Sequence, residues 1–259
     1  MTTQHNGPPG IGYLDMQAYV GITKHNGGYP ATKELLSLCH IGEARDVLNV
    51  GCGIGVASAF IAKKYKCRVV GVDISEKMIR WSRQRAKDER VEDKVGVGVA
   101  SVLELPFAAD RFDVVVCESV LAFVQDKRQA IRECIRVTKT GGYVGLNEAF
   151  FAAEASPELV PKVQDSLGTD IPTVADWQAL RSESALQERV VRLYKIDPST
   201  EVTDRPQWVG WRWAVRAWGR LLRLYVTNPQ LRQSIREMFD APAELMRHMG
   251  YGLFVGRKE

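Results

Sequence analysis

From residue 46 onward, short runs of β-branched residues alternate with segments long enough to form helices. The runs include DVLNV, RVVGVD, FDVVVCE and YVGLNE, and the segments between them carry apolar residues at helical spacing. A chain returns to a neighbouring parallel strand only through a crossover connection, which is usually a helix. The alternation therefore predicts an α/β fold, a doubly wound sheet of about seven mostly parallel strands with helices on both faces.

The first of these strands runs into a glycine-rich turn, VLNVGCGIG at residues 47–55. Gly51, Gly53 and Gly55 leave room for a ligand to approach the backbone, and the N-terminus of the next helix offers free N–H groups. Dinucleotide-binding turns have the spacing GxGxxG or GxGxxA, whereas this turn is GxGxG followed by Val56. An NAD-dependent oxidoreductase is an alternative that the turn disfavours at its most diagnostic position.

Other motifs follow this turn in a recognisable order. VLNVGCGIG together with VVGVDIS resembles motifs I and II of the class I S-adenosylmethionine-dependent methyltransferases. VLELPFAADRFDVVVCESVLAFVQD and VTKTGGYVGLNE are similar to the later motifs of that family, and LPF…FDVV looks like the menaquinone and sterol-type enzymes. The resemblance extends over residues 31–151. It implies a Rossmann-like fold, S-adenosyl-L-methionine as cofactor and S-adenosyl-L-homocysteine as product.

Asp73 is the first expected cofactor ligand. It ends the second strand about twenty residues beyond the glycines, where a carboxylate can accept hydrogen bonds from both ribose hydroxyls. The resemblance implies that Ile74 packs on the adenine, which the Ser101 hydroxyl and the Val102 backbone recognise. Asn49 stands where the family usually has an acidic residue, so it can form hydrogen bonds but carries no charge. The expected cofactor-binding residues are Tyr19, Gly28, Asn49, Gly51, Cys52, Gly53, Gly55, Asp73, Ile74, Met78, Ser101, Val102 and Glu118.

Candidate catalytic residues follow from the place where such sheets bind ligands, outside the carboxyl ends of the strands. Glu118 ends FDVVVCE and Glu148 ends YVGLNE, so we expect these carboxylates to orient a substrate or accept a proton. The resemblance implies that the segment before the first helix covers the cofactor, with Tyr19 at its methionine end and His25 as a candidate base. The plainer alternatives are that the glutamates cap helices or pair with arginines, and that Tyr19 packs and His25 is solvated.

Composition narrows the class of partner. The 259 residues suit one large domain with an insertion or two small ones, and the net charge of +4 is too mild and dispersed to indicate nucleic acid. The five cysteines are scattered without a CxxC pair, so we expect reduced core thiols, no metal site and no arsenite methylation. We find neither a secretory leader nor an apolar run of about 18 residues, so we expect a cytoplasmic location.

The motifs divide the chain into four expected units. Residues 1–30 form an N-terminal lid, and residues 31–197 form the cofactor-binding core. Residues 198–249 form a helical insertion that caps the substrate before the last strand, and residues 250–259 are that final core strand.

The insertion carries an amphipathic basic helix. At 100° per residue, one side of it is apolar and aromatic and the other side is rich in arginine. The apolar side, called here the tryptophan stripe, consists of Trp211, Val215, Trp218, Leu222 and Tyr225, and the other carries Arg212, Arg216, Arg220 and Arg223; Trp208 and Trp213 lie nearby. Three roles are open for the stripe: burial against the sheet domain or a second copy, lining an apolar substrate pocket, or contact with an anionic membrane surface.

The leading hypothesis is transfer of a methyl group to O, N or C of a small, apolar or aromatic metabolite by in-line displacement. Holding the nucleophile and the methyl group in line supplies much of the catalysis in such a reaction, so the lack of an obvious catalytic triad does not argue against an enzyme. The alternatives are the NAD-dependent oxidoreductase and a non-catalytic methyltransferase-like partner subunit, for which the only signs are Asn49 and Ser101.

Overall fold

The computed structural model describes residues 13–42, 45–151, 169–182, 184–196, 209–229, 232 and 248–259. They contain a seven-stranded sheet of order β3-β2-β1-β4-β5-β7-β6. β7 runs antiparallel to β5 and β6, and every other pair of neighbouring strands is parallel. The predicted mostly parallel, doubly wound sheet is confirmed. The strands are β1 (Asp46–Val50), β2 (Arg68–Asp73), β3 (Val95–Val99), β4 (Phe112–Glu118), β5 (Thr138–Phe151), β6 (Leu186–Lys195) and β7 (Met249–Lys258).

Helices cover both faces of the sheet. Successive residues of a strand point to opposite faces, so Val47 packs under one helix layer with Leu35, whereas Leu48 packs under the other with Ile131. This two-sided burial explains why the central strands are continuous apolar runs. The helices of the described residues are α1 (Tyr13–Val20), α2 (Gly28–Leu38), α3 (Val56–Tyr65), α4 (Glu76–Asp88), α5 (Lys127–Val137), α6 (Val174–Ser182) and α7 (Trp211–Thr227), and a 3₁₀ turn lies at Leu121–Phe123.

Polar side chains cap the helices at the ends nearest the ligand-binding edge. Ser75 Oγ accepts a hydrogen bond of 3.4 Å from the backbone N–H of Met78 at the start of α4. Thr173 and Asp176 exchange hydrogen bonds at the start of α6 and form a capping box.

Helix α7 packs through the side opposite to the tryptophan stripe. Trp213 and Ala217 are its buried residues, whereas Trp211 and Trp218 are each 70% exposed. Of the three roles left open for the stripe, the structure therefore contradicts burial against the sheet domain. Trp208 and most of residues 198–249 lie outside the described residues, so the bounds of the insertion stay a prediction. Within the described chain, no helix is long and apolar enough to cross a membrane.

Candidate active site

The glycine turn, residues 51–55, connects β1 to α3 at the carboxyl edge of the sheet. Gly51, Gly53 and Gly55 have φ of 67°, 51° and 78°, in the left-handed region that side chains disfavour. A Cβ added at Gly51 would also collide with the side chain of Val120. Side chains are disfavoured at these three glycine positions, so the turn presents bare backbone there, as the sequence predicts.

Asp73 lies beside this turn and is bonded to it. Its Oδ2 accepts a hydrogen bond of 3.0 Å from the Gly53 N–H, and its Oδ1 accepts one of 2.9 Å from the Ser75 N–H. Burial raises the pKa of this carboxyl, although both hydrogen bonds act to lower it. The next residue, Ile74, is 74% exposed and leaves an apolar side chain in solvent at the strand end. This arrangement fits a ribose on the carboxylate and an adenine on Ile74, both of which stay predictions.

Four other expected cofactor residues lie in the protein interior. Asn49 is buried and donates a hydrogen bond of 3.0 Å from Nδ2 to Ser58 Oγ. The side chains of Cys52, Met78 and Val102 are buried. Met78 and Val102 each pack in a hydrophobic cluster of the core. Burial raises the pKa of the Cys52 thiol to about 12. Any contact of Cys52 or Val102 with a cofactor is therefore expected through the backbone.

Ser101 follows β3 and is half-buried. Its hydroxyl accepts a hydrogen bond of 3.2 Å from the Leu103 N–H. Val99 and Leu103 lie two residues before and two residues after Ser101, and their apolar side chains are exposed, as is that of Ile74. The adenine contact of Ser101 stays a prediction. Val99 and Leu103 are exposed apolar residues beside it that sequence reasoning missed.

The segment between α1 and α2 covers the glycine turn. Thr23 lies so close to Gly53 that an added Cβ would be 2.8 Å from its Oγ1. Asn26 donates hydrogen bonds of 3.0 Å from both its backbone and its side chain to Ser119 Oγ, and its carbonyl accepts one of 2.9 Å from Asn147 Nδ2. This placement agrees with the lid that the resemblance implies.

Glu118 is the centre of a polar group that we call the strand-end cluster. Its Oε2 accepts a hydrogen bond of 2.8 Å from Thr32 Oγ1 and one of 3.3 Å from the neighbouring Asn147. His25 Nε2 lies 2.8 Å from Thr32 Oγ1 and 3.9 Å from Glu118 Oε2. The structure thus joins His25 and Glu118, 93 residues apart, through a threonine that sequence reasoning missed. The cluster consists of His25, Asn26, Thr32, Glu118, Ser119 and Asn147.

Of two other predicted residues, Tyr19 lies away from this cluster, whereas Gly28 contacts its His25. Tyr19 is half exposed on α1, and Lys77 Nζ lies 3.5 Å from the centre of its ring. Gly28, with φ of 52°, begins α2, and its carbonyl contacts His25 Nε2 at 3.0 Å. Neither position tests the predicted contact with the methionine end of a cofactor.

Glu148 lies behind the site. It is fully buried, and its Oε1 accepts hydrogen bonds of 3.0 Å from the backbone N–H groups of Val120 and Leu121. Burial raises the pKa of Glu148 to about 7, which those N–H groups and the positive charge of Lys127 oppose. The expectation that Glu148 meets a substrate is corrected: its carboxylate supports the turn after β4 from inside the core.

The described cysteines give no site of their own. All five are free and buried, and the described residues contain no group of three His, Cys, Asp or Glu side chains that could hold a metal ion.

Comparison with known proteins gives the family. Residues 48–146 match the family described as "Methyltransferase domain". These residues form a methyltransferase domain. The methyltransferase GfsG of Streptomyces halstedii is 31% identical over 119 residues, which are 46% of this chain and 43% of GfsG. The cofactor of this family is S-adenosylmethionine.

Solved structures share the fold of this methyltransferase domain. Phosphoethanolamine N-methyltransferase 2 of Haemonchus contortus, solved with S-adenosylhomocysteine, has a TM-score of 0.72 at 15% identity, covering 95% of this chain and 56% of that one. The [4+2]-cyclase SpnF has a TM-score of 0.71 at 17% identity and covers 97% of both chains. The chain spans about a third to two thirds of the length of the curated relatives it matches.

Proposed function

We propose that this protein transfers a methyl group from S-adenosylmethionine to a small molecule. The observation that carries the proposal is the bond between Asp73 and the glycine turn, at the same sheet edge as the strand-end cluster. The fold by itself does not select the reaction, because a [4+2]-cyclase shares it.

The residues that would hold the cofactor lie at the ends of three neighbouring strands, β1, β2 and β3. The glycine turn offers its backbone, Asp73 its carboxylate, Ile74 an apolar surface and Ser101 a hydroxyl. When bound, S-adenosylmethionine supplies a sulfonium methyl group for in-line displacement. The lid residues Thr23 and Asn26 would shield that region from water.

The acceptor side is assigned to the strand-end cluster. Thr32 and Asn147 fix the Glu118 carboxylate through hydrogen bonds to its Oε2. The carboxylate can therefore accept a hydrogen bond from an O–H or N–H group of the methyl acceptor without reorganising. Beyond it, Phe123 and Met249 pack on a small apolar group that contains Phe151. These side chains favour a small, apolar or aromatic acceptor.

The first experiment is calorimetric titration with S-adenosylmethionine, S-adenosylhomocysteine and NAD in parallel. We expect micromolar binding of the first two and none of NAD, because the glycine turn lacks the dinucleotide spacing. Binding of NAD alone would overturn the proposal in favour of an oxidoreductase. Cofactor binding without turnover of any acceptor, together with a stable protein partner, would instead favour the non-catalytic subunit.

Glu118→Gln tests the assignment of the acceptor side. With an acceptor found by screening, we expect kcat to fall about 100-fold, because the neutral amide is a far weaker base and acceptor. Binding of S-adenosylhomocysteine is expected to stay within a factor of about two. The exposed substitution Glu92→Gln is the matched control and should change neither quantity. A loss of S-adenosylhomocysteine binding with kcat retained would place Glu118 on the cofactor instead.

A further inference from the structure

Helix α7 is fixed to the methyltransferase domain by one side only. Trp213 lies edge-on to Trp81, with ring centres 5.8 Å apart, and the Arg85 guanidinium stacks 4.2 Å from the Trp213 ring. Arg220 donates a hydrogen bond of 2.6 Å to the Val20 carbonyl of α1. These contacts to α1 and α4 hold the helix in one orientation.

The opposite side forms an apolar surface that we call the outer face. Its five residues are between 62% and 70% exposed, which is unusual for large apolar side chains on a single helix. They fall within about 80° of one another around the helix axis. The outer face consists of Trp211, Val215, Trp218, Leu222 and Val226.

Positive charge lies along one border of the outer face. Arg212 and Arg223 are exposed there, and Arg216 also forms a 3.8 Å ion pair with Asp88. The sequence of α7, WRWAVRAWGRLLRLYVT, contains no aspartate or glutamate. Within α7, the surface offered to a partner is therefore apolar, rich in tryptophan and bordered on one side by arginines.

A second copy of the chain that pairs antiparallel through α7 fits this surface poorly. In an antiparallel pair of α7 helices related by a twofold axis, the two arginine borders would lie on the same side. Like charges would then meet without a carboxylate on either helix to offset them. An anionic bilayer suits the same features, because tryptophan and leucine enter the headgroup region while arginines reach lipid phosphates.

We propose that the outer face of α7 binds this protein to the surface of anionic membranes, with the helix axis parallel to the bilayer. The inference depends only on α7 and its packing, so it stands or falls separately from methyl transfer.

Vesicle flotation tests the proposal with the full chain. We expect the protein to float with vesicles of phosphatidylcholine and phosphatidylglycerol, and much less with phosphatidylcholine alone. Trp218→Glu with Leu222→Glu should reduce binding at least tenfold, because both side chains would have to enter the apolar region. Arg212→Gln with Arg223→Gln should reduce it by about fivefold for each arginine removed, with the remaining binding less sensitive to salt.

The controls separate this proposal from its competitors. Arg132→Gln with Arg192→Gln makes the same change in net charge on α5 and β6 and should leave flotation unchanged. Melting followed by circular dichroism verifies that each variant is folded. The proposal would be overturned if the wild type did not float, or if the outer-face variant, Trp218→Glu with Leu222→Glu, floated as well as the wild type. A concentration-dependent dimer that this variant dissociates would also overturn it, since the outer face would then bind a second copy.

Discussion

Replacing Asp73 with alanine should weaken binding of S-adenosylhomocysteine by about 10- to 100-fold, corresponding to about 1–3 kcal/mol for hydrogen bonds to a charged acceptor. The carboxylate lies at the end of β2 and accepts the Gly53 N–H, so its loss removes the ribose acceptor and a support of the glycine turn together. Calorimetric titration of wild type and variant measures the change directly.

Two further variants separate those contributions. Asp73→Asn keeps an oxygen acceptor and should retain part of the binding. Ser75→Ala removes the cap of α4 but leaves the carboxylate in place, so we expect a change of less than about threefold. An unchanged dissociation constant for folded Asp73→Ala would contradict the assignment of this residue to the ribose.

Most of the sheet could be predicted from the sequence because its central strands are buried on both faces. Such strands are mostly apolar, and DVLNV is buried at every position, including its Asp46 and Asn49. The exception is β3, VGVGV, whose residue pattern does not mark it as a strand. Gly96 and Gly98 lower its β propensity, and only its pairing with β2 at the sheet edge makes it a strand.

The strand-end cluster could be predicted only in part. Glu118 is visible as the polar end of an apolar strand, but its partner Thr32 is one threonine within an ordinary helical pattern. Docking of the segment between α1 and α2 onto the ends of β4 and β5 brings the two together. Long-range contacts of this kind leave no periodic trace in the sequence.

The orientation of α7 shows a limit of amphipathic patterns. The pattern separates an arginine-rich side from the tryptophan stripe but does not say which of the two is buried. In the structure, Arg85 stacks on Trp213 and Arg220 on Trp81, so aromatic and cationic side chains are used on the packed side. A helical period locates the two sides of a helix, but the chemistry of the neighbouring helices decides which side is buried.

Glu148→Gln should abolish a pH dependence of stability that the wild type has between pH about 4.5 and about 7. Burial raises the pKa of this carboxyl to about 7, so across that window the folded state binds more protons than the unfolded state. The wild type therefore loses stability as pH rises, and the loss is complete above the folded pKa. Its expected size is about 3 kcal/mol.

The variant keeps the contacts that matter for the fold. Glutamine at this position still offers an oxygen to the N–H groups of Val120 and Leu121, but it has no proton to lose. Urea unfolding at pH 5 and pH 8 measures the effect, and the decisive quantity is how the difference between variant and wild type changes with pH. A difference in stability between variant and wild type that does not change with pH would reflect only how well the amide packs in place of the carboxylate.

The same residue ties stability to the candidate active site. Val120 donates its backbone N–H to Glu148, and its side chain is the one that a Cβ at Gly51 would strike, so the buried carboxylate and the glycine turn share this residue. The exposed Glu92→Gln should show no pH-dependent difference from wild type. If Glu148→Gln and wild type lose stability in parallel between pH 5 and pH 8, Glu148 titrates at its ordinary pKa. In that case its carboxylate reaches water, and the turn after β4 is open to solvent.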